Sequence, residues 1–139
     1  RKLLVLAREL DLKNEFEEII IQNLIPEALQ SGTMENFLQN LEKLDEVFEK
    51  EKKNLAKDTV LRYIGELSGD LQKDKGVLET KLVAVPINSA LGQLKGSDSI
   101  FEIYTESYGE NPIIIQGAGA GAAVTARGVL GDIIRLALK

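Results

Sequence analysis

Asn111-Pro-Ile-Ile-Ile-Gln-Gly-Ala-Gly-Ala-Gly-Ala-Ala-Val-Thr-Ala-Arg-Gly-Val-Leu130 joins a short β-branched run to three alternating glycines and then to a helical pattern. Pro112 suits the first residue of a strand, where no ladder donor is needed, and Ile113 to Ile115 suit burial on both faces. Gly117, Gly119 and Gly121 lack a Cβ, so the backbone there takes positive φ readily. It also admits close approach by a phosphate, a ring or another chain segment. Val124, Leu130, Ile133, Ile134 and Ala137 recur at roughly helical spacing, which puts the unpaired N–H groups of a helix N-terminus at the turn. The stretch predicts strand, turn, helix.

The same glycines satisfy the dinucleotide pattern G-x-G-x-x-G/A over Gly117 to Ala122. That fingerprint needs a following strand with an acidic residue about 20 positions on. Here the sequence stops at Lys139, inside the same helical pattern. The match is therefore not read as a Rossmann fingerprint. Alternating Gly and Ala also marks tight packing of a helix on a sheet, and an anion nest over Gly117 to Ala122 is a third use of such a turn.

The 139 residues suffice for one core, and 44% hydrophobic with 28% charged residues is ordinary for a globular domain. A net charge of −5 argues against nucleic acid or an anionic membrane as the main partner. With no cysteine and no histidine, disulfides, thiolate metal sites and imidazole chemistry are excluded, leaving Lys, Tyr, Asp and Glu for acid–base work. No run approaches the length of a membrane span, and the start lacks a signal-peptide layout. These features lead to the expectation of a cytoplasmic protein. The chain opens at Arg1 directly on a helical pattern with no cap, so a piece of a longer polypeptide is expected.

Leu3, Leu6, Ala7 and Leu10 follow the i, i+3, i+4, i+7 rule and predict an amphipathic helix over residues 1 to about 10. Lys2 lies beside that stripe, where a lysine ordinarily covers apolar surface with its stem and keeps its ammonium in water. Glu17 to Ile25 is apolar and β-branched enough for a strand ended by Pro26. On such a strand Glu17 and Glu18 would point to opposite faces and stay solvated. Thr33 is a plausible N-cap for a helix or helix pair along Met34, Phe37, Leu38, Leu41, Leu44 and Phe48. Three further strands are predicted at Val60 to Leu67, Val77 to Val85 and Ile100 to Ser107. Leu78, Thr80, Leu82 and Ala84 share one face of the second. Phe101, Ile103 and Thr105 share the inner face of the third, with Glu102 and Glu106 pointing away. Alternation of this kind indicates an α+β fold, a mainly antiparallel sheet covered by helices, with a C-terminal strand, Gly-rich turn and helix appended.

The segment from Asn111 through Leu136 resembles the carboxy-terminal signature of homoserine dehydrogenases. Arg1-Lys-Leu-Leu-Val-Leu-Ala-Arg-Glu9, Leu24-Ile-Pro-Glu-Ala-Leu29, Val60-Leu-Arg-Tyr-Ile-Gly65 and Leu94-Lys-Gly-Ser-Asp-Ser-Ile100 agree with that family in the same order. The likeness covers essentially the whole chain and is nearest to the form fused behind an aspartokinase.

The resemblance implies a substrate-binding and dimerisation domain over 1–111, then a strand and helix over 112–139 that return to a nucleotide-binding domain lying upstream. It implies interconversion of L-aspartate 4-semialdehyde and L-homoserine with NADPH or NADH, on the route to threonine and methionine, by a homodimer. A monovalent cation, if used, is bound by residues outside this chain. In the family an Asp-x-x-x-Lys pair on the first helix is catalytic, and Lys2 stands where that lysine stands. Its aspartate would lie four positions earlier, on the same helical face. Gly119, Ala120 and Gly121 would line the nicotinamide end of the cofactor. The segment alone is then expected to lack turnover. Ser89-Ala90 replaces the His-Pro pair of many members, and Ser99 replaces an asparagine, both in a connection assigned to packing. The competing reading is a non-catalytic α+β dimerisation module whose glycines serve only packing.

Overall fold

Leu3 and Ala7 are the buried positions of α1 (Lys2–Glu9), whereas Leu6 and Leu10 of the same predicted stripe are exposed, and the way this helix stops places the rest of the core. Asp11 takes φ 59°. The Asp11 N–H donates to Arg8 O and the Leu12 N–H to Ala7 O, the paired bonds of a Schellman ending, with aspartate where glycine is usual. The reversal drives Leu12 back beside Ala7. Leu3, Ala7, Leu12 and Leu78 form the buried cluster, with Leu4, Ile19 and Leu67 packed against it. Arg8 holds the turn from outside, donating to Leu12 O and pairing with Glu15.

The computed structural model describes residues 1–70 and 72–138; Leu71, in the connection between the first two long strands, and Lys139 lie outside them. Two compact units are present, Arg1–Pro86 and Ile87–Lys139. In the first, β1 (Ile20–Ile21) runs parallel to β3 (Val77–Pro86), and β3 runs antiparallel to β2 (Thr59–Ser68). α2 (Glu27–Gln30), α3 (Met34–Gln39) and α4 (Glu42–Asn54) lie between β1 and β2 in sequence. Thr33 caps α3 by accepting from the Asn36 N–H at 3.3 Å. In the second unit β4 (Asp98–Ile103) pairs antiparallel with β5 (Ile113–Ala118), and α5 (Ala122–Ala137) follows. The fold is α+β and dominated by antiparallel pairing, as the alternation predicts. The compact units part after Pro86.

Register settles which side chains share the helix-bearing face. Leu61, Tyr63, Gly65 and Leu67 lie opposite Ala84, Leu82, Thr80 and Leu78. The reverse face carries Glu66, Glu79 and Lys81, whose ammonium pairs with both carboxylates at 2.8 and 2.7 Å.

Two elements depart from the sequence reading. The strand over Glu17 to Ile25 shrinks to Ile20–Ile21, because Phe16–Glu18 is a 3-10 turn closed by a reciprocal cap between Glu15 and Glu18. Beyond it, Asn23 turns the chain by accepting from the Ile25 N–H. Glu18 is accordingly not simply solvated, since it bonds Lys75 and the Glu15 N–H. The strand over Ile100 to Ser107 ends at Ile103, where Thr105 accepts from the Tyr108 and Gly109 amides and turns the chain. Within it Phe101 and Ile103 are exposed while Ile100 and Glu102 are half-buried, the reverse of the expected facing. Among the described residues, α5 does not pack extensively on β4.

The loop after α1 is stitched to the β2–β3 connection. Asn14, 3% exposed, donates to Gly76 O and accepts from the Gly76 N–H, both at 2.9 Å. Its amide thus replaces a ladder rung. Lys13 pairs with Asp74 and Lys75 with Glu18 on either side.

Asn14→Ala is expected to cost about 1–3 kcal/mol, because it orphans a buried donor and acceptor together. Denaturant unfolding checks this, and a loss below a few tenths would show that water replaces the amide. Glu18 offers a pH test. The Lys75 ammonium first, then the Glu15 N–H, hold its carboxyl below the usual value. A depressed folded pKa contributes stability above the unfolded value and loses it as pH falls through the folded one. The melting-temperature gap between the native protein and Glu18→Gln is therefore expected at neutral pH and should close below the ordinary carboxylate range. A gap that persists at pH 2 would contradict it.

Candidate active site

Lys2 sits in the first turn of α1, exposed, beside the residue that anchors the helix. Arg1, Lys2, Leu3, Phe16, Ile19, Ile21, Gly65 and Thr80 line a cleft of about 330 Å³. Most of its wall is apolar, and Thr80 brings the one uncharged side-chain hydroxyl. Tyr63 Oη donates to Gln22 O at 2.9 Å and lies 3.0 Å from Thr80 Oγ1. Gln22 in turn accepts from the Leu82 N–H at 2.7 Å, so Thr80, on the cleft wall, is tied through Tyr63 to the residue that follows β1.

The lysines nearby differ in what they can do. Lys13, Lys75 and Lys81 are each held by carboxylates. Two glutamates raise the pKa of Lys81, Glu66 first. Among the described residues no carboxylate pairs with Lys2 Nζ. Lys2 is exposed and lines the cleft, carried by a helix that buries Leu3 and Ala7.

A second cleft, also about 330 Å³, runs under α4, with Val47, Phe48 and Leu55 facing Leu61, Leu82 and Ala84. Glu51 and Asn54 stand among its lining residues. Among the described residues no group of three or more carboxylates gathers as a metal site would require.

In the second unit the three glycines have three different settings. A Cβ at Gly117 would meet nothing within 4 Å. At Gly119 it would collide with Ser99 Oγ and stand 2.6 Å from Ser99 Cβ. At Gly121, the N-cap of α5, φ is 123° and the space around a Cβ is open. Gly119 is therefore accounted for by close packing on β4, and Gly121 by backbone conformation. Ser99 belongs to β4, not to a connection, and directly faces the Gly-rich turn. Among the described residues no side chain caps α5. Lys2 lies in the first unit and Gly119 to Gly121 in the second.

Residues 1–134 match the family described as homoserine dehydrogenase. The chain belongs to that family. It is 40% identical over 139 residues to "Bifunctional aspartokinase/homoserine dehydrogenase 1, chloroplastic" of Arabidopsis thaliana, covering 99% of this chain and 15% of that protein. It is 40% identical over 144 residues to "Homoserine dehydrogenase" of Paracoccidioides brasiliensis, covering 98% of this chain and 36% of the other. A crystal structure of a protein of unknown function from Candida auris superposes with a TM-score of 0.73 at 37% identity, over 99% of this chain and 38% of that one. The chain thus spans a minor part of each of these homoserine dehydrogenase relatives. No described helix is long and apolar enough to cross a membrane.

Phe16, Gly65 and Thr80 line the Lys2 cleft and were not singled out as site residues in the sequence. A lone glycine inside a strand pattern marks a bulge or close backbone approach, so Gly65 carried a signal.

Gly119→Ala is expected to destabilise the protein by about 1–3 kcal/mol through overpacking against Ser99. Adding Ser99→Gly should recover part of that loss in thermal melts. If Gly119→Ala melts like the native protein, Ser99 moves aside freely and the packing explanation fails.

Proposed function

We propose that this chain is the carboxy-terminal part of a homoserine dehydrogenase that interconverts L-aspartate 4-semialdehyde and L-homoserine. The observation that carries the proposal is Lys2 lining a cleft, in a chain of which residues 1–134 match the family. When bound, a nicotinamide cofactor, NADPH or NADH, supplies or accepts the hydride. Lys2 Nζ gives a proton to the carbonyl oxygen as negative charge develops there, and takes it back in the reverse direction. A carboxylate four positions before Lys2 would lie on the same helical face and orient that ammonium.

Gly119, Ala120 and Gly121 would line the cofactor. The open space at Gly121 and the lack of a side-chain cap on α5 among the described residues fit close approach by a flat ring or an anion. The division of labour is residues 1–111 for substrate and dimer contacts and 112–139 for return to an upstream nucleotide-binding domain. The uncovered apolar side chains of β5 and α5, among them Ile115, Leu130 and Ile133 at more than half exposure, support a partner surface there. A homodimer, a cytoplasmic location and an upstream aspartokinase belong to the same proposal. The Arabidopsis relative is named as a chloroplastic protein.

The packing of Gly119 on Ser99 favours one rival, a non-catalytic module in which the glycines serve structure alone. Full-length sequence separates the two: a strand-GxGxxG-helix unit upstream is expected for the dehydrogenase and not for the module.

In the full-length enzyme, Lys2→Ala is expected to lower kcat by at least about 10²-fold with little change in cofactor binding. Lys2→Arg should not rescue it, because guanidinium keeps its proton near neutral pH. Restoration by arginine would make Lys2 a fixed charge, and an unchanged kcat with a lowered melting temperature would make it a covering side chain only.

A further inference from the structure

We propose that Gly65 is a positioning residue for Lys2: the absence of a side chain there sets the depth at which Leu3 seats α1 on β2. The inference rests on the dehydrogenase reading above. A Cβ at Gly65 would stand 3.1 Å from Leu3 Cγ and 3.2 Å from both Leu3 Cδ1 and Cδ2. All three outer carbons of Leu3 bear on the same spot, so the isobutyl group lies flat against the strand. A rotation that withdraws one methyl leaves its branch point, Cγ, still in contact. Rotation about χ2 therefore gives no relief, and with Leu3 held in the buried cluster the accommodation falls on the helix, which lifts by a few tenths of an ångström.

Leu3 is also 9% exposed and part of the buried cluster, which leaves its side chain little room to move sideways. Lys2 is its chain neighbour, and Gly65 lines the same cleft as Lys2. Register places Thr80 directly opposite Gly65, so lifting α1 also moves Lys2 relative to Thr80, which lines the same cleft. A misplacement of about 1 Å at a reacting group costs on the order of 10²-fold in rate. A few tenths should then cost about five- to tenfold.

The test uses the full-length enzyme, with NADPH oxidation by L-aspartate 4-semialdehyde as the readout. Gly65→Ala is expected to lower kcat about five- to tenfold, with the KM for NADPH unchanged. Leu3→Val, which shortens the seat, should restore most of that loss in the double variant. In a Lys2→Ala background Gly65→Ala should have no further effect on kcat, a coupling that a merely structural role would not produce. The proposal is overturned if Gly65→Ala leaves kcat per folded enzyme unchanged, if Leu3→Val gives no rescue, or if the Gly65 and Lys2 losses multiply. Should Gly65→Ala not fold, Leu3→Val alone decides. A kcat loss that disappears in the Lys2→Ala background supports the proposal, and an unchanged kcat overturns it. Native enzyme without any turnover would instead remove the dehydrogenase reading itself, a result distinct from an active enzyme that tolerates Gly65→Ala.

Discussion

The seating of α1 on β2 is the contact on which the first unit depends. Leu3 rests on Gly65, Ala7 is fully buried, and the Schellman reversal after Glu9 returns Leu12 to the same cluster. From that point the chain is carried to Asn14, which holds Gly76 at the start of β3. One short helix and its ending thus connect the core, the β2–β3 pair and the cleft beside Lys2. A lysine on a frayed terminal turn would be a poor proton donor. Here its neighbour is wedged against a strand with no side chain in the way, and rigid support of this kind is what positioned acid–base chemistry requires.

Much of this was legible in the sequence, and the parts that were not have physical reasons. The long strands β2 and β3 follow from β-branched runs bounded by a polar connection, and their observed ends agree within a residue. Thr33 as a cap and Leu3 and Ala7 as buried positions follow from local rules. The run Glu17 to Ile25 misled because β propensity describes side chains, whereas its path was decided by main-chain hydrogen bonds. The 3-10 turn at Phe16 and the Asn23 turn leave only Ile20 and Ile21 to pair. The facing of Phe101 and Ile103 was misread for another reason. Alternation tells which residues share a face, not which face is covered, and α5 does not pack extensively on this pair of strands.

The candidate site divides in the same way. Lys2 emerged from family likeness, since spacing alone assigns it a covering role. Gly119 and Gly121 stood out as glycines, but sequence could not separate their causes. The structure gives Gly119 a steric one against Ser99 and Gly121 a conformational one at the start of α5. Neither cause excludes a cofactor at the same turn, because close packing on one side leaves the other side of a glycine backbone open to a ligand. The Gly65 contact needed the fold, because Leu3 and Gly65 lie more than sixty positions apart.

The most direct test of the central claim is a crystal structure of the full-length enzyme with L-homoserine and an oxidised nicotinamide cofactor bound. Lys2 Nζ is expected within hydrogen-bond reach, about 2.6–3.2 Å, of the substrate hydroxyl oxygen, with Leu3 still seated on Gly65. A substrate hydroxyl held by other groups, with Lys2 turned into solvent and α1 unmoved, would contradict it.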